Sequence, residues 1–175
     1  MSQCIGLILP DELNDVVDEV KMKFGYGIHN REFTDSFKRA LNQDEHVYYW
    51  GIVGQSDGFL SYNQCQRIKK EKITIEERDD RYKEIFFRDY YPLIELHQKN
   101  ARKWVDIIQT FLNEYGIKRL GIVIFMWLDD NTDGNDFAMF PTDVMKLDDL
   151  NAEDIMKFEQ NIIHYIVKEH LEHIY

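Results

Sequence analysis

Ile117-Lys118-Arg119-Leu120-Gly121-Ile122-Val123-Ile124-Phe125-Met126-Trp127-Leu128 is the most apolar and β-branched run of the chain, and it breaks at once into Asp129-Asp130-Asn131-Thr132-Asp133-Gly134-Asn135-Asp136. Apolar character returns at Phe137-Ala138-Met139-Phe140. A continuous apolar run bounded by Gly116 on one side and by Asp, Asn and Gly on the other reads as a strand buried on both faces. The polar octet, with its Asp-Gly pair, reads as the loop of a hairpin leading to a second strand near 137–140. A central strand is thus carried straight into a cluster of four aspartates.

Upstream of that run, Leu93, Leu96, Asn100, Trp104, Ile107, Ile108, Phe111, Leu112 and Tyr115 recur at helical spacing, and Gly116 follows as a stop signal. At 1.5 Å per residue this helix would be about 35 Å long, enough to cover a sheet face. Pro92 separates it from an earlier helix, where Thr74 and Glu77 form a capping-box pattern ahead of Ile75, Tyr82, Ile85, Phe86 and Tyr90.

At the start of the chain, Gln3 to Leu9 reads as a short strand. Leu13, Val16, Val17, Val20 and Phe24 then make one helical stripe, with Asp15 near its beginning, Lys21 and Lys23 near its end, and Gly25 as its C-terminal glycine. A short helix with Phe33, Phe37 and Leu41 on one side precedes a second strand, His46 to Val53, rich in rings and β-branched residues. Periodicity leaves 59–68 open between strand and helix. Downstream, Pro141 to Leu150 reads as an Asp-rich loop. Asn151 and Asp154 open a last helix with the stripe Ile155, Phe158, Ile162, Tyr165 and Ile166.

The expected architecture is therefore α+β: a small mixed sheet of about four strands, near 3–9, 46–53, 117–128 and 137–140, covered by long amphipathic helices in a single domain, 1–175. At 175 residues, with 44% apolar and 14% aromatic content, the chain can bury a core without disulfides or metals. No apolar run reaches the ~18 residues of a membrane span. The run Cys4–Leu9 has no basic region before it and ends at Pro10-Asp11, so no secretory signal is expected. Cys4 and Cys65 form no metal-ligand spacing, which fits reduced thiols in a cytoplasmic protein.

The net charge of −11 is unevenly placed. Residues 67–128 carry thirteen bases against ten acids, whereas 129–175 carry twelve acids against three bases. Within 129–154 there are nine acids and only Lys146 opposes them. Phosphate backbones are repelled by such a surface, so direct nucleic-acid binding is disfavoured and a basic protein partner is expected. The candidate contact residues are Asp129, Asp130, Asp133, Asp136, Asp143, Asp148 and Asp149. Inhibitors of nucleic-acid-cleaving toxins have this size and charge, because the active sites they block must be basic to hold phosphate. An immunity- or antitoxin-type role without a cofactor is the leading expectation.

Two other constellations carry chemistry. Asp129-x-Asn131-x-Asp133-Gly134 is the first half of a calcium loop, with oxygen ligands at alternate positions and a glycine for the sharp turn. The bidentate glutamate that completes such a loop would fall at Phe140, so an EF-hand is ruled out. A looser cation site, or an ordinary Asp/Asn/Gly turn, remains. Gly54-Gln55-Ser56-Asp57-Gly58 follows an expected strand and resembles the nucleophile elbow of the α/β-hydrolases over those five residues. The resemblance implies Ser56 as nucleophile, with Asp129, Asp133 or Asp143 and then His164 or His170 completing a triad. That fold needs several parallel strands after the elbow, whereas the segment up to Gly116 reads as helix and connector. His170 and His173 are helical neighbours by spacing, and ordinary surface histidines explain them without a metal.

Overall fold

Strand and helix signals of the sequence take shape around a five-stranded sheet. The computed structural model describes residues 2–10, 12–26, 45–52, 70, 91–127 and 140–168. In chain order the described elements are β1 (Ser2–Leu9), α1 (Asn14–Lys23), β2 (His46–Ile52), α2 (Tyr91–Gln109), a π-helical turn (Thr110–Glu114), β3 (Arg119–Trp127), β4 (Thr142–Lys146), a 3-10 turn (Leu147–Asp149), α3 (Ala152–Met156) and β5 (Ile163–Val167). The expected helices over 33–41 and 75–90, the pentapeptide 54–58, the segment 59–68, the octet 129–136 and the terminal histidines His170 and His173 lie outside the described residues.

The strands are ordered β2-β1-β3-β5-β4. β1 pairs antiparallel with β2 and β3, β3 pairs antiparallel with β5, and β4 runs parallel to β5, so the sheet is mixed. On one face Ile5, Leu7 and Leu9 of β1, Tyr48 and Trp50 of β2, Leu120, Ile122 and Ile124 of β3, and Ile166 of β5 pack with the helices. Trp104, Ile107, Ile108, Phe111 and Leu112 of α2 and its π-turn, with Val17 and Val20 of α1, complete that core. The opposite face has its own buried cluster of Cys4, Ile8, Val47, Val123, Phe125, Ile163 and Tyr165. Alternation between the two clusters follows from the two-residue period of a strand. A strand buried on both faces must therefore be apolar along its length, as β3 is from Leu120 to Phe125.

Local signals account for the helix ends. α1 closes in a Schellman arrangement: Tyr26 N–H donates to Lys21 O (2.8 Å), Gly25 N–H donates to Met22 O (3.0 Å), and Gly25 takes φ +74°. The π-turn after α2 ends at Gly116, φ +67°, where an L side chain would be strained. A β-bulge shapes the β1–β2 pair. Ile5 pairs with Gly51 and Gly6 with Tyr49, which leaves Trp50 as the extra residue. Its ring enters the core, 5.0 Å from that of Trp104, with Lys21 Nζ 5.1 Å from its centroid and bonded to Tyr49 O at 2.9 Å.

Several sequence expectations are corrected. The sheet has five strands, and among the described residues only α2, at 19 residues, is long; α1 has ten residues and α3 five. Residues 163–167 are a strand, not the end of a helix. The run Ile162-Ile163-His164-Tyr165-Ile166-Val167 is buried at every position of β5, so its apolar spacing matched a helix only by coincidence. The segment 142–146, expected as loop, is a strand. It lies beyond β5 in the strand order, and residues 137–139 of the expected second strand lie outside the described residues. On α2 Leu96 is exposed whereas His97 is buried, and Tyr115 after the π-turn is exposed as well. Among the described residues no helix is long and apolar enough to cross a membrane.

Candidate functional site: the acidic edge of the sheet

Pro141 introduces β4, and its carbonyl accepts the Ile163 amide at 2.9 Å, starting the parallel ladder. β4 is the outermost strand in the order and is exposed from Thr142 to Val144, with Val144 62% exposed. The opposite edge differs: Val47, Tyr48 and Trp50 of β2 are all buried. Past β4 the chain crosses to β5 through the 3-10 turn and α3. Buried Leu147, Leu150, Ile155, Met156 and Phe158 fasten that crossover to the helical core.

A capping box starts α3. Asn151 Oδ1 accepts from Glu153 N–H (2.9 Å) and Asp154 N–H (3.2 Å), and Asp154 Oδ2 accepts from Asn151 N–H (3.1 Å). Asn161, φ +62°, then turns the chain into β5, its amide donating to Ile124 O at 2.8 Å.

Five carboxylates, Asp143, Asp148, Asp149, Glu153 and Asp154, lie along 141–154, with Lys146 as the single base. Asp154 is engaged in the cap and pairs with Lys157 at 3.6 Å. Asp148, Asp149 and Glu153 make no ion pair among the described residues. Of the contact residues expected from sequence, Asp143 falls on β4, and Asp148 and Asp149 fall in the 3-10 turn, all exposed. Asp129, Asp130, Asp133 and Asp136 lie outside the described residues, as do Asn131 and Ser56. Among the described residues no group of three or more His, Cys, Asp or Glu side chains is placed to hold a metal.

The topology does bring Asp143 and His164 together, as register partners on β4 and β5. His164 is buried, stacked on Phe158 with ring centroids 4.2 Å apart, and its Nε2 accepts the Glu159 amide at 3.2 Å. The proton therefore belongs on Nδ1, which faces Asp143 Oδ2 at 3.4 Å without the alignment of a hydrogen bond. Burial pushes the imidazole below its ordinary range, and Asp143 partly opposes that shift. A serine nucleophile needs a free Nε2 lone pair, and here the backbone already occupies it.

Beside this edge, Gln109, Asn113, Leu147, Asp148, Leu150 and Lys168 line a depression of about 440 Å³. The π-turn, which brings Asn113 there, carries no residue pattern that separates it from an α-helix. A second polar feature escaped the sequence reading. Arg119 pairs with Glu45 Oε1, Tyr165 Oη donates to Glu45 Oε2 at 2.8 Å, and the Arg119 guanidinium lies 4.7 Å from the Tyr165 ring centroid. Its only sequence signal is a charge at the end of each of two apolar strands.

Compared with known proteins, the chain matches no family model, no curated protein and no solved structure.

Proposed function

We propose that this chain is a stoichiometric binding protein that holds a basic protein partner against the acidic face 129–154, in the manner of an immunity- or antitoxin-type inhibitor of a nucleic-acid-cleaving protein. One observation carries the reading: Asp148, Asp149 and Glu153 are exposed on the crossover that follows the edge strand β4 and are not consumed by ion pairs among the described residues. Carboxylates held this way contribute little to folding, yet their summed field steers a cationic surface toward them. An inhibitor of this kind works by occupying the site where phosphate would sit. Asp129, Asp130, Asp133 and Asp136 extend the same charge in sequence.

The test is capture of partners from the source cell followed by salt elution, then association kinetics of the captured protein with wild type and Asp148→Asn/Asp149→Asn. The double variant should keep its thermal stability, associate several-fold more slowly at low salt, and show a flatter salt dependence. Equal association rates at low salt would remove these carboxylates from the contact face. Capture of acidic proteins only would end the proposal.

A further inference from the structure

We infer that β4 is the docking strand of this face, and that the occupant is an extended basic segment of the partner, added to the sheet edge as a sixth strand. This rests on the reading above and specifies its geometry.

The backbone argument comes first. In a parallel ladder each residue directs both its N–H and its C=O to the same side. Pro141 O is bonded to the Ile163 amide, so the alternation turns Asp143 and Met145 toward β5 and turns the backbone groups of Thr142, Val144 and Lys146 outward. A row of outward donors and acceptors is a template for one more strand. Of the two outer strands among the described residues, β2 has mostly buried side chains and β4 is exposed from Thr142 to Val144.

Side chains and charge then select the occupant. Thr142, Val144 and Lys146 lie on the sheet face of Ile163 and Tyr165, where Val144 is 62% exposed beside buried apolar groups. Asp143 lies on the other face, and Asp148, Asp149 and Glu153 follow close by in the chain. An added strand would therefore present an apolar residue beside Val144 and a cationic one beside Asp143, in alternation. A second copy of this chain, with net charge −11, brings the wrong charge to that edge. The carboxylates that discourage self-pairing are those that admit a basic strand.

The probe is a fluorescent peptide of alternating Lys and Val, blocked at both ends, titrated into the full chain at low salt with anisotropy as readout. Its control is the same peptide N-methylated at the residues whose amides would meet β4, which keeps the charge and removes the hydrogen bonds. The variant is Val144→Pro, which deletes one outward N–H and is a substitution that an edge strand tolerates. Wild type should bind, and both N-methylation and Val144→Pro should weaken binding about tenfold or more. Amide exchange should slow at Thr142, Val144 and Lys146 when the unmodified peptide is bound.

Equal binding of the N-methylated peptide, or protection mapping elsewhere, overturns strand addition. If Asp148→Asn/Asp149→Asn still weakens that binding, the basic-partner reading survives without it. No binding to wild type, or a β4-paired dimer in sedimentation, also overturns the inference. If Val144→Pro fails to fold, the N-methylated peptide and the exchange map decide the question on wild-type protein alone.

Discussion

Asp143 and His164 lie opposite each other across the parallel β4–β5 pair, with Oδ2 3.4 Å from Nδ1, one exposed and the other buried. The carboxylate favours the imidazolium, and burial of the ring disfavours it more strongly. The folded-state value is thus depressed below the ~6.5 of an unfolded histidine. The sign follows: the neutral ring contributes stability that is fully present above about pH 6.5 and is lost as pH falls through the folded value.

Titration of the His164 ring protons by NMR should therefore give a midpoint below that of an exposed histidine. In Asp143→Asn the midpoint should fall further, because the side chain that raises it most has lost its charge. A midpoint that rises in the variant would show that burial is not the dominant influence.

Gly121 is held by close packing. A Cβ there would lie 3.0 Å from Ile8 Cβ and 3.0 Å from the Tyr165 ring. Ile8 Cβ is fixed to the β1 backbone and the Tyr165 hydroxyl is tied to Glu45, so neither neighbour gives way easily. Gly121→Ala should cost about 1–3 kcal/mol by overpacking. Gly25→Ala meets open space and should lose only about 1–2 kcal/mol, through its left-handed backbone. Urea unfolding of both variants checks the contrast, and a neutral Gly121→Ala would mean that β1 and β3 can separate.

Glu45 joins three strands by accepting from Arg119 on β3 and Tyr165 on β5 at the start of β2. Tyr165→Phe removes one neutral donor and should cost about 1 kcal/mol, while Glu45→Gln, which strips the charge facing a half-buried guanidinium, should cost about 2 kcal/mol. The double variant should lose less than the sum, since both changes break one network. Burial and Glu45 together push the Tyr165 phenol above its ordinary range. Its contribution to stability is full below about pH 10 and is lost as pH rises past that value. Additive losses in chemical denaturation would show that the two contacts act independently.

What the sequence determined by itself was every element with a local cause. β1, β2 and β3 announce themselves by continuous apolar and β-branched runs, and α1 by its stripe, its terminal charges and Gly25. The buried face of α2 from Asn100 to Leu112 follows from its spacing, and the start of α3 from the Asn151–Asp154 box. These signals act within one or two turns, where the chain's own backbone supplies the partner. The α+β class follows from them.

Tertiary structure alone decided that 142–146 is a strand, that 163–167 is a strand and not a helix, and that β4 lies beyond β5 in the sheet. A five-residue segment such as Thr142–Lys146, exposed from Thr142 to Val144, has no continuous apolar run to reveal it; it is extended because β5 offers a ladder. Strand β5 is buried throughout because both its faces are covered, and uniform burial erases the period that tells strand from helix. The same non-local pairing sets Asp143 beside His164, and it carries Glu45 to Arg119 across 74 residues of chain. Such contacts depend on strand order, and strand order is fixed by which apolar faces can be buried together.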